Sequence, residues 1–418
     1  MRLLFSLTYY TPYISGLTLY VKRLAEALVK EDYQASVLTM QYDKKLPFQE
    51  EINGVKINRA GYIWKISKGF ISLDWILKSW REVKRSDVIL ISLPQFEGII
   101  PAIFARIFRK KLIIIYHCDV VLPKSLGNYI VERILSFSHF LTLIFAQTIV
   151  NNSQDFAKHS PPLRFFWHKI QYIYPPILKP KLYKREINLL KNKITKDTYK
   201  IGFIGRVAAD KGIEYLFEAI PYIKSRIKSR PSSISQEAGN YELGIKKKRD
   251  LKTPGRWRGN DRDSFQVEVP EFKIVIAGSL DPVGEAKYKE KILKLVDKYK
   301  NYIVFLGELK EEEMGSFYSL IDVLVLPSIN STEAFGMVQV EAMLMGVPVI
   351  VTDLPGVRIP IQKTGMGKIV PVKNSQKLAE AVTKILSNKR KYIKDREFIK
   401  KEFSFRKTIA FYEKILAV

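Results

Sequence analysis

Two glutamates stand eight positions apart in the segment Ser331 to Asp353, STEAFGMVQVEAMLMGVPVIVTD, with Phe335-Gly336 between them. An apolar-periodic run follows the glycine and leads into Val347 to Val351, a buried-strand pattern. The spacing predicts a helix starting near Phe335, whose first backbone N–H groups lack intrahelical partners and sit at the positive end of its dipole. An anion fits there. Glu333 precedes that anion site and Glu341 lies on the helix behind it. This layout suits a nucleotide-sugar: amides for the diphosphate, one carboxylate near the sugar hydroxyls, another near the ribose. The plain alternative is a buried helix with two incidental glutamates.

A second segment, Ile201 to Glu214, reads IGFIGRVAADKGIE: a short apolar strand, a glycine turn, then Arg206 and Lys211, followed by a helical pattern. At a strand's C-terminal end the glycine lets backbone approach a ligand, and two cations at this spacing can clamp a diphosphate. A pair of solvated surface charges is the alternative. Together the two segments resemble the G-R-x4-K-G and E-x7-E signatures of the retaining GT-B glycosyltransferases of family four, which also includes sucrose-phosphate synthases and bacterial mannosyltransferases. Here the first stands as Gly205, Arg206, Lys211 and Gly212, and the second as Glu333 and Glu341.

The resemblance implies an α/β fold of GT-B type, two Rossmann-like doubly wound domains facing a cleft. It implies a nucleotide-diphosphate sugar bound by Gly16, Gly205, Arg206, Lys211, the amides of Phe335, Gly336, Met337 and Val338, and Glu341, with Glu333 at the sugar. Charge growing on the leaving diphosphate is then stabilised by Arg206, Lys211 and those amides, with no metal or other cofactor expected. Retention in this family uses same-face attack, so the two glutamates are not the carboxylate dyad of a glycoside hydrolase.

The acceptor side falls to the first half of the chain. Ser15-Gly16 occupies the place of the family's paired glycines and keeps one permissive position. His117 and Asp119 follow the apolar run LIIIY in YHCDVV, at a strand end where α/β ligands collect. The family often has H-x-D here, which implies a histidine facing the transferred sugar and a carboxylate near the acceptor. Ser153, in VNNSQDF, is a weaker acceptor-cleft candidate whose other reading is a helix N-cap.

These residues need a scaffold of alternating strands and helices, and the chain supplies one. Strands are expected at Arg2 to Leu7, Ala35 to Met40, Val88 to Ser92, Leu112 to Tyr116 and Gln147 to Asn151, with helices at Leu17 to Lys30 and Gly98 to Phe108. A second alternation places strands at Ile201 to Ile204, Lys273 to Ala277, Ile303 to Leu306, Val323 to Leu326, Val347 to Val351 and Lys368 to Val370. The expected division is an acceptor-side domain 1–178, completed by a C-terminal helix in 404–418; a linker 179–200; and a nucleotide-sugar domain 201–403. A Ser-, Gly- and Lys-rich insert at about 228–270 interrupts the second domain and reads as disordered. Its Asp261-Arg262-Asp263 follows no strand and is assigned no metal.

Composition agrees with two cores: 418 residues, 47% of them hydrophobic. The single cysteine, Cys118, excludes an internal disulfide framework and fits a cytoplasmic protein. The N-terminus reads as a first strand rather than a signal peptide, and Ile134 to Val150 as a helix and strand rather than a membrane span. With 69 basic and 42 acidic residues the net charge is +27. Such a surface seeks an anionic partner, and no nucleic-acid-binding motif is present. An anionic membrane surface matches better: Gly61 to Arg85 interleaves tryptophans with Lys65, Lys68, Lys78 and Arg81 on a helical period. An ordinary amphipathic helix is the alternative.

The resulting expectation is a hexosyltransferase using a GDP-mannose- or UDP-glucose-type donor and a glycan or lipid-linked acceptor, peripheral on the inner face of the cell membrane. A soluble synthase with a small sugar acceptor, or a non-catalytic basic binding protein keeping the fold, are the other readings.

Overall fold

The computed structural model describes residues 1–66, 69–122, 126–191, 194, 198–227, 272–280 and 285–417. The basic insert, with its Asp261-Arg262-Asp263, and Lys68 lie outside the described residues.

The N-terminal half builds strands β1 (Arg2–Ser6), β2 (Gln34–Met40), β3 (Gln49–Ile52), β4 (Val55–Ala60), β5 (Trp64–Ile66), β6 (Gly69–Ile71), β7 (Val88–Leu93), β8 (Lys111–Tyr116), β9 (Thr148–Asn151) and β10 (Ile170–Tyr172). Its helices are α1 (Gly16–Lys30), α2 (Leu73–Arg85), α3 (Ile99–Ile107), α4 (Leu126–Phe145) and α5 (Gln154–His159). After α6 (Lys184–Lys191), which lies within the expected linker, come strands β11 (Tyr199–Ile204), β12 (Phe272–Ala277), β13 (Ile303–Gly307), β14 (Val323–Leu326), β15 (Val349–Thr352) and β16 (Gly367–Val370). The accompanying helices are α7 (Ile213–Glu218), α8 (Ile220–Lys224), α9 (Ala286–Lys298), α10 (Glu311–Leu320), α11 (Met337–Leu344), α12 (Ile359–Thr364), α13 (Ser375–Ser387), α14 (Lys389–Tyr392), α15 (Arg396–Glu402) and α16 (Phe405–Ala417).

Two sheets result. The first has the order β10-β9-β8-β7-β1-β2-β4-β3, parallel except for the antiparallel β3–β4 pair. The second runs β13-β12-β11-β14-β15-β16, parallel throughout. Strands covered on both faces must be apolar on both, which is why these segments read as continuous Val/Ile/Leu runs. Alternate residues serve opposite layers: Leu3 and Phe5 join the core under α1 and α16, whereas Leu4 joins the core under α2, α3 and α4. In each sheet the chain winds outward from the first strand in both directions, so ligand crevices open beyond the carboxyl ends of β1/β7 and β11/β14. The last helix α16 packs on α1, where the Tyr20 and Tyr412 hydroxyls meet at 2.8 Å.

The stretch Gly61 to Arg85 is not one amphipathic helix. Trp64 and Lys65 stand in β5, paired antiparallel with β6, and only Leu73–Arg85 is helical, capped by Ser72. Trp75 is buried and donates its indole N–H to the Glu97 carbonyl at 3.1 Å, and Lys78 pairs with Asp74. The larger apolar surface lies elsewhere in the same layer. α4 leaves Leu126, Ile130, Ile134 and Phe137 exposed, α3 leaves Ile103 and Ile107, and α2 leaves Leu77 and Trp80. No helix among the described residues is long and apolar enough to cross a membrane.

Candidate active site

At the switch point of the second sheet, β11 is followed by Gly205 and Arg206, and Lys211 comes next in a helical turn. Gly212 closes that turn at φ +61°, and a Cβ there would lie 2.3 Å from the Pro327 carbonyl oxygen. Only glycine lets the Lys211 turn lie against the segment after β14. That closeness lets Lys211 donate from Nζ to Glu333 Oε2 at 2.7 Å, with Asp210 3.6 Å away. Burial pushes the Lys211 pKa down, but the Glu333 and Asp210 carboxylates more than offset it and hold the ammonium above the usual lysine range. The pair spans 122 residues of chain and unites the two motifs. Arg206 is half-buried and has no ion pair among the described residues.

The helix expected near Phe335 begins at Met337. Gly336 is its N-cap in the left-handed region, φ 74°, where a Cβ would meet Leu326 at 2.6 Å, and buried Phe335 joins the core of the second domain. The first N–H groups of α11, Met337 and Val338, have no intrahelical acceptor. Gly16 opens α1 opposite them: a Cβ on it would be 3.9 Å from Met337 Cε. Ser15 caps α1, accepting from the Thr18 N–H at 3.1 Å.

From the first sheet, β8 delivers His117 and Asp119. His117 is buried, its ring edge-on to Tyr20 at 4.8 Å, its Nε2 without a partner, and burial lowers its pKa to about 3. A neutral imidazole results. Asp119 accepts from Tyr116 at 2.8 Å and from Ser160 at 2.6 Å, and its carboxyl pKa is raised by burial against those bonds and one from Ser331. Ser331, in the glutamate segment, lies near enough to Asp119 to work against that rise. Ser153 caps α5 through the Phe156 N–H at 3.0 Å and is buried. Burial pushes the Cys118 thiol up to about 12, which leaves it unreactive. Among the described residues no group of three His, Cys, Asp or Glu side chains is gathered to hold a metal ion.

Comparison with known proteins identifies the family. The sequence model described as Glycosyltransferase Family 4 matches residues 14–177, and that described as Glycosyl transferases group 1 matches 261–403. The chain belongs to family four of the GT-B glycosyltransferases. An uncharacterized glycosyltransferase of Methanocaldococcus jannaschii is 26% identical over 90% of this chain and 86% of its own length. A phosphatidyl-myo-inositol mannosyltransferase of Mycobacterium leprae is 36% identical over 21% of this chain and 23% of its own. HepE of Anabaena, solved in complex with UDP-glucose, has the same fold at a TM-score of 0.71 and 16% identity, covering 100% of this chain and 99% of that one.

The transferase also holds contacts that sequence reasoning missed. Glu341 is buried, but both its oxygens are engaged: Oε1 accepts from Arg23 of α1 at 2.9 Å and Oε2 from Tyr318 at 3.0 Å. Arg23 reaches Glu311 as well, at 3.0 and 3.2 Å. On another element Asp155 of α5 accepts from Arg358 at 2.7 and 2.9 Å and from the Gly356 N–H at 2.8 Å. Both are ion pairs between the domains. The only sequence signal for Arg23 is a cation three residues after Tyr20 and four before Ala27, on the apolar stripe of α1.

Proposed function

We propose that this glycosyltransferase moves a hexose from a GDP-mannose- or UDP-glucose-type donor to a glycan or lipid-linked acceptor, with retention and without a metal ion, on the inner face of an anionic membrane. The observation that carries the transfer chemistry is the Lys211–Glu333 pair. One cation faces the diphosphate position with its carboxylate at the sugar. As the anomeric bond breaks, charge moves onto the diphosphate; Arg206, Lys211 and the α11 amides receive it, and no reorganisation is needed at that moment. His117, kept neutral, has Nε2 free to accept a sugar hydroxyl. HepE, solved with UDP-glucose, and the mannosyltransferase relative support the two donor types.

A lipid-linked acceptor is supported by the outer surface of α2, α3 and α4. Contiguous exposed apolar side chains of this extent mark an interaction site in soluble proteins, and Arg81, Arg106 and Arg133 stand exposed among them. α4 begins a few residues after Asp119, so a bilayer against it lies close to the acceptor side of the cleft. The relative named for phosphatidyl-myo-inositol points the same way. The test is incubation of the purified chain with radiolabelled nucleotide-sugars, with and without vesicles of anionic lipid extract. Label transferred into the lipid phase is the expected result. Transfer to small soluble sugars alone would overturn the acceptor assignment, and no turnover of any donor would overturn the enzyme reading.

A further inference from the structure

Glu341 is the carboxylate assigned to the donor ribose, and its surroundings are full. Arg23 holds one oxygen, Tyr318 the other, and the side chain is 5% exposed. A carboxylate has room for about four hydrogen bonds, so its chemistry is unsaturated while its space is closed. The group closing it comes from the other domain. Arg23 is itself 6% exposed, and its fork also grips Glu311, the first residue of α10, through Nε and Nη2. Only Nη1 is committed to Glu341, and it also reaches the Pro176 carbonyl at 3.5 Å. On the far side Arg23 and Glu311 line an open pocket of about 500 Å³ whose other walls include Glu26, Glu31 and Glu413 as well as Lys22, Lys30 and Arg406, and Lys22 shares Glu311 at 2.9 Å. The guanidinium can therefore turn away from Glu341 while keeping Glu311, which it shares with Lys22.

We propose that Arg23 is a positioning residue that holds Glu341 and exchanges places with the ribose diol when donor binds, turning onto Glu311 at the pocket. No covalent bond changes; one N–H···O contact to Glu341 is replaced by O–H···O contacts from the 2′- and 3′-hydroxyls. Two consequences follow from the geometry. Nucleotides without that diol cannot drive the exchange, which makes the acceptor-side domain a reader of the ribose. Binding also transfers an interdomain contact from α11 to α10, linking donor occupancy to the way the domains meet. The idea rests on Glu341 being the ribose contact.

Calorimetric titration with UDP, GDP and their 2′,3′-dideoxy forms tests it on the full chain. Arg23→Met should tighten the better-bound nucleotide about tenfold, because a charged hydrogen bond no longer has to be displaced. The gain should vanish with the dideoxy form. Glu311→Gln should do the opposite and weaken binding, since Arg23 is then left to Glu341 alone. Should Arg23→Met fail to fold, Arg23→Lys, which keeps the charge but cannot fork both carboxylates, should show the same sign at smaller size. Unchanged or weaker binding in the Arg23 variants, or an equal gain with the dideoxy nucleotide, overturns the exchange. Glu341→Gln separates the premises: if it binds UDP and GDP like wild type, the ribose assignment itself is wrong.

Discussion

Replacing Glu333 with glutamine should separate binding from transfer. The amide keeps an oxygen facing Lys211, whose Nζ lies 2.7 Å from the native carboxylate, and Asp210 at 3.6 Å still offsets the ammonium. Neighbouring contacts are untouched: Thr332 still reaches Asp210 at 3.3 Å, and the Ile329 N–H still donates to the Asp210 carbonyl at 3.0 Å. The folding cost should then be the difference between a charged and a neutral hydrogen bond, about 1 kcal/mol. An orphaned buried ion would cost about 3–5 kcal/mol. Transfer should suffer far more. Losing one preorganised polar group in a water-poor site typically lowers kcat by about 10²–10³, or about 2.7–4 kcal/mol. If Glu333 faces the sugar as proposed, free nucleotide does not meet it and a Lys211 released from it is more available to a diphosphate, so UDP or GDP affinity should hold or rise slightly. The assays are single-turnover transfer of radiolabelled sugar, calorimetric nucleotide affinity and thermal melting. A kcat within about threefold of wild type, or nucleotide affinity down about tenfold with transfer intact, would refute the assignment.

Four further outcomes are expected. Glu341→Ala should raise the donor KM by the equivalent of about 1.5–3 kcal/mol with little change in kcat; an unchanged KM in steady-state kinetics counts against a ribose contact. Arg206→Ala combined with Lys211→Ala should remove most activity while wild type keeps its rate in EDTA, and a strict need for added divalent ion would end the metal-free mechanism. Burial holds the His117 pKa at about 3, below the ~6.5 of an unfolded histidine, so the unfolded chain binds the extra proton and His117 costs stability as pH falls from ~6.5 to about 3. His117→Gln should accordingly lose less stability on acidification, by up to ~1.4 kcal/mol per pH unit within that window in urea unfolding, and curves parallel to wild type would mean the ring titrates normally. Ile134→Ser with Phe137→Ser, both exposed on α4, should reduce sedimentation with anionic vesicles at least about tenfold while barely moving Tm; undiminished sedimentation would remove α4 from the membrane contact.

What could be read in the chain before its structure follows from how far each signal reaches. Parallel strands covered on both faces must be written as unbroken apolar runs, so IIIY before His117 and VLVL before the glutamate segment are visible within a few residues. The glycines of the two motifs are visible for a similar reason, because Gly212 and Gly336 stand where a Cβ would strike Pro327 or Leu326. The short strands β3 and β4, QEEI and VKINRA, carry too few apolar residues to announce themselves and exist because they pair beyond β2. Gly61 to Arg85 misled because tryptophan and lysine spacing matched a helical period across a β-pair and a helix together, and α4 was partly hidden because Gly127, Asn128, Glu132 and Arg133 break up the apolar pattern of its first turns. The deepest omission is of another kind. Glu341 could be singled out from one motif, but what holds it is Arg23, 318 residues away on the other domain. Local pattern singles out candidate groups; only the docking of two domains decides what surrounds them, and in this transferase that docking sets Arg23 against Glu341.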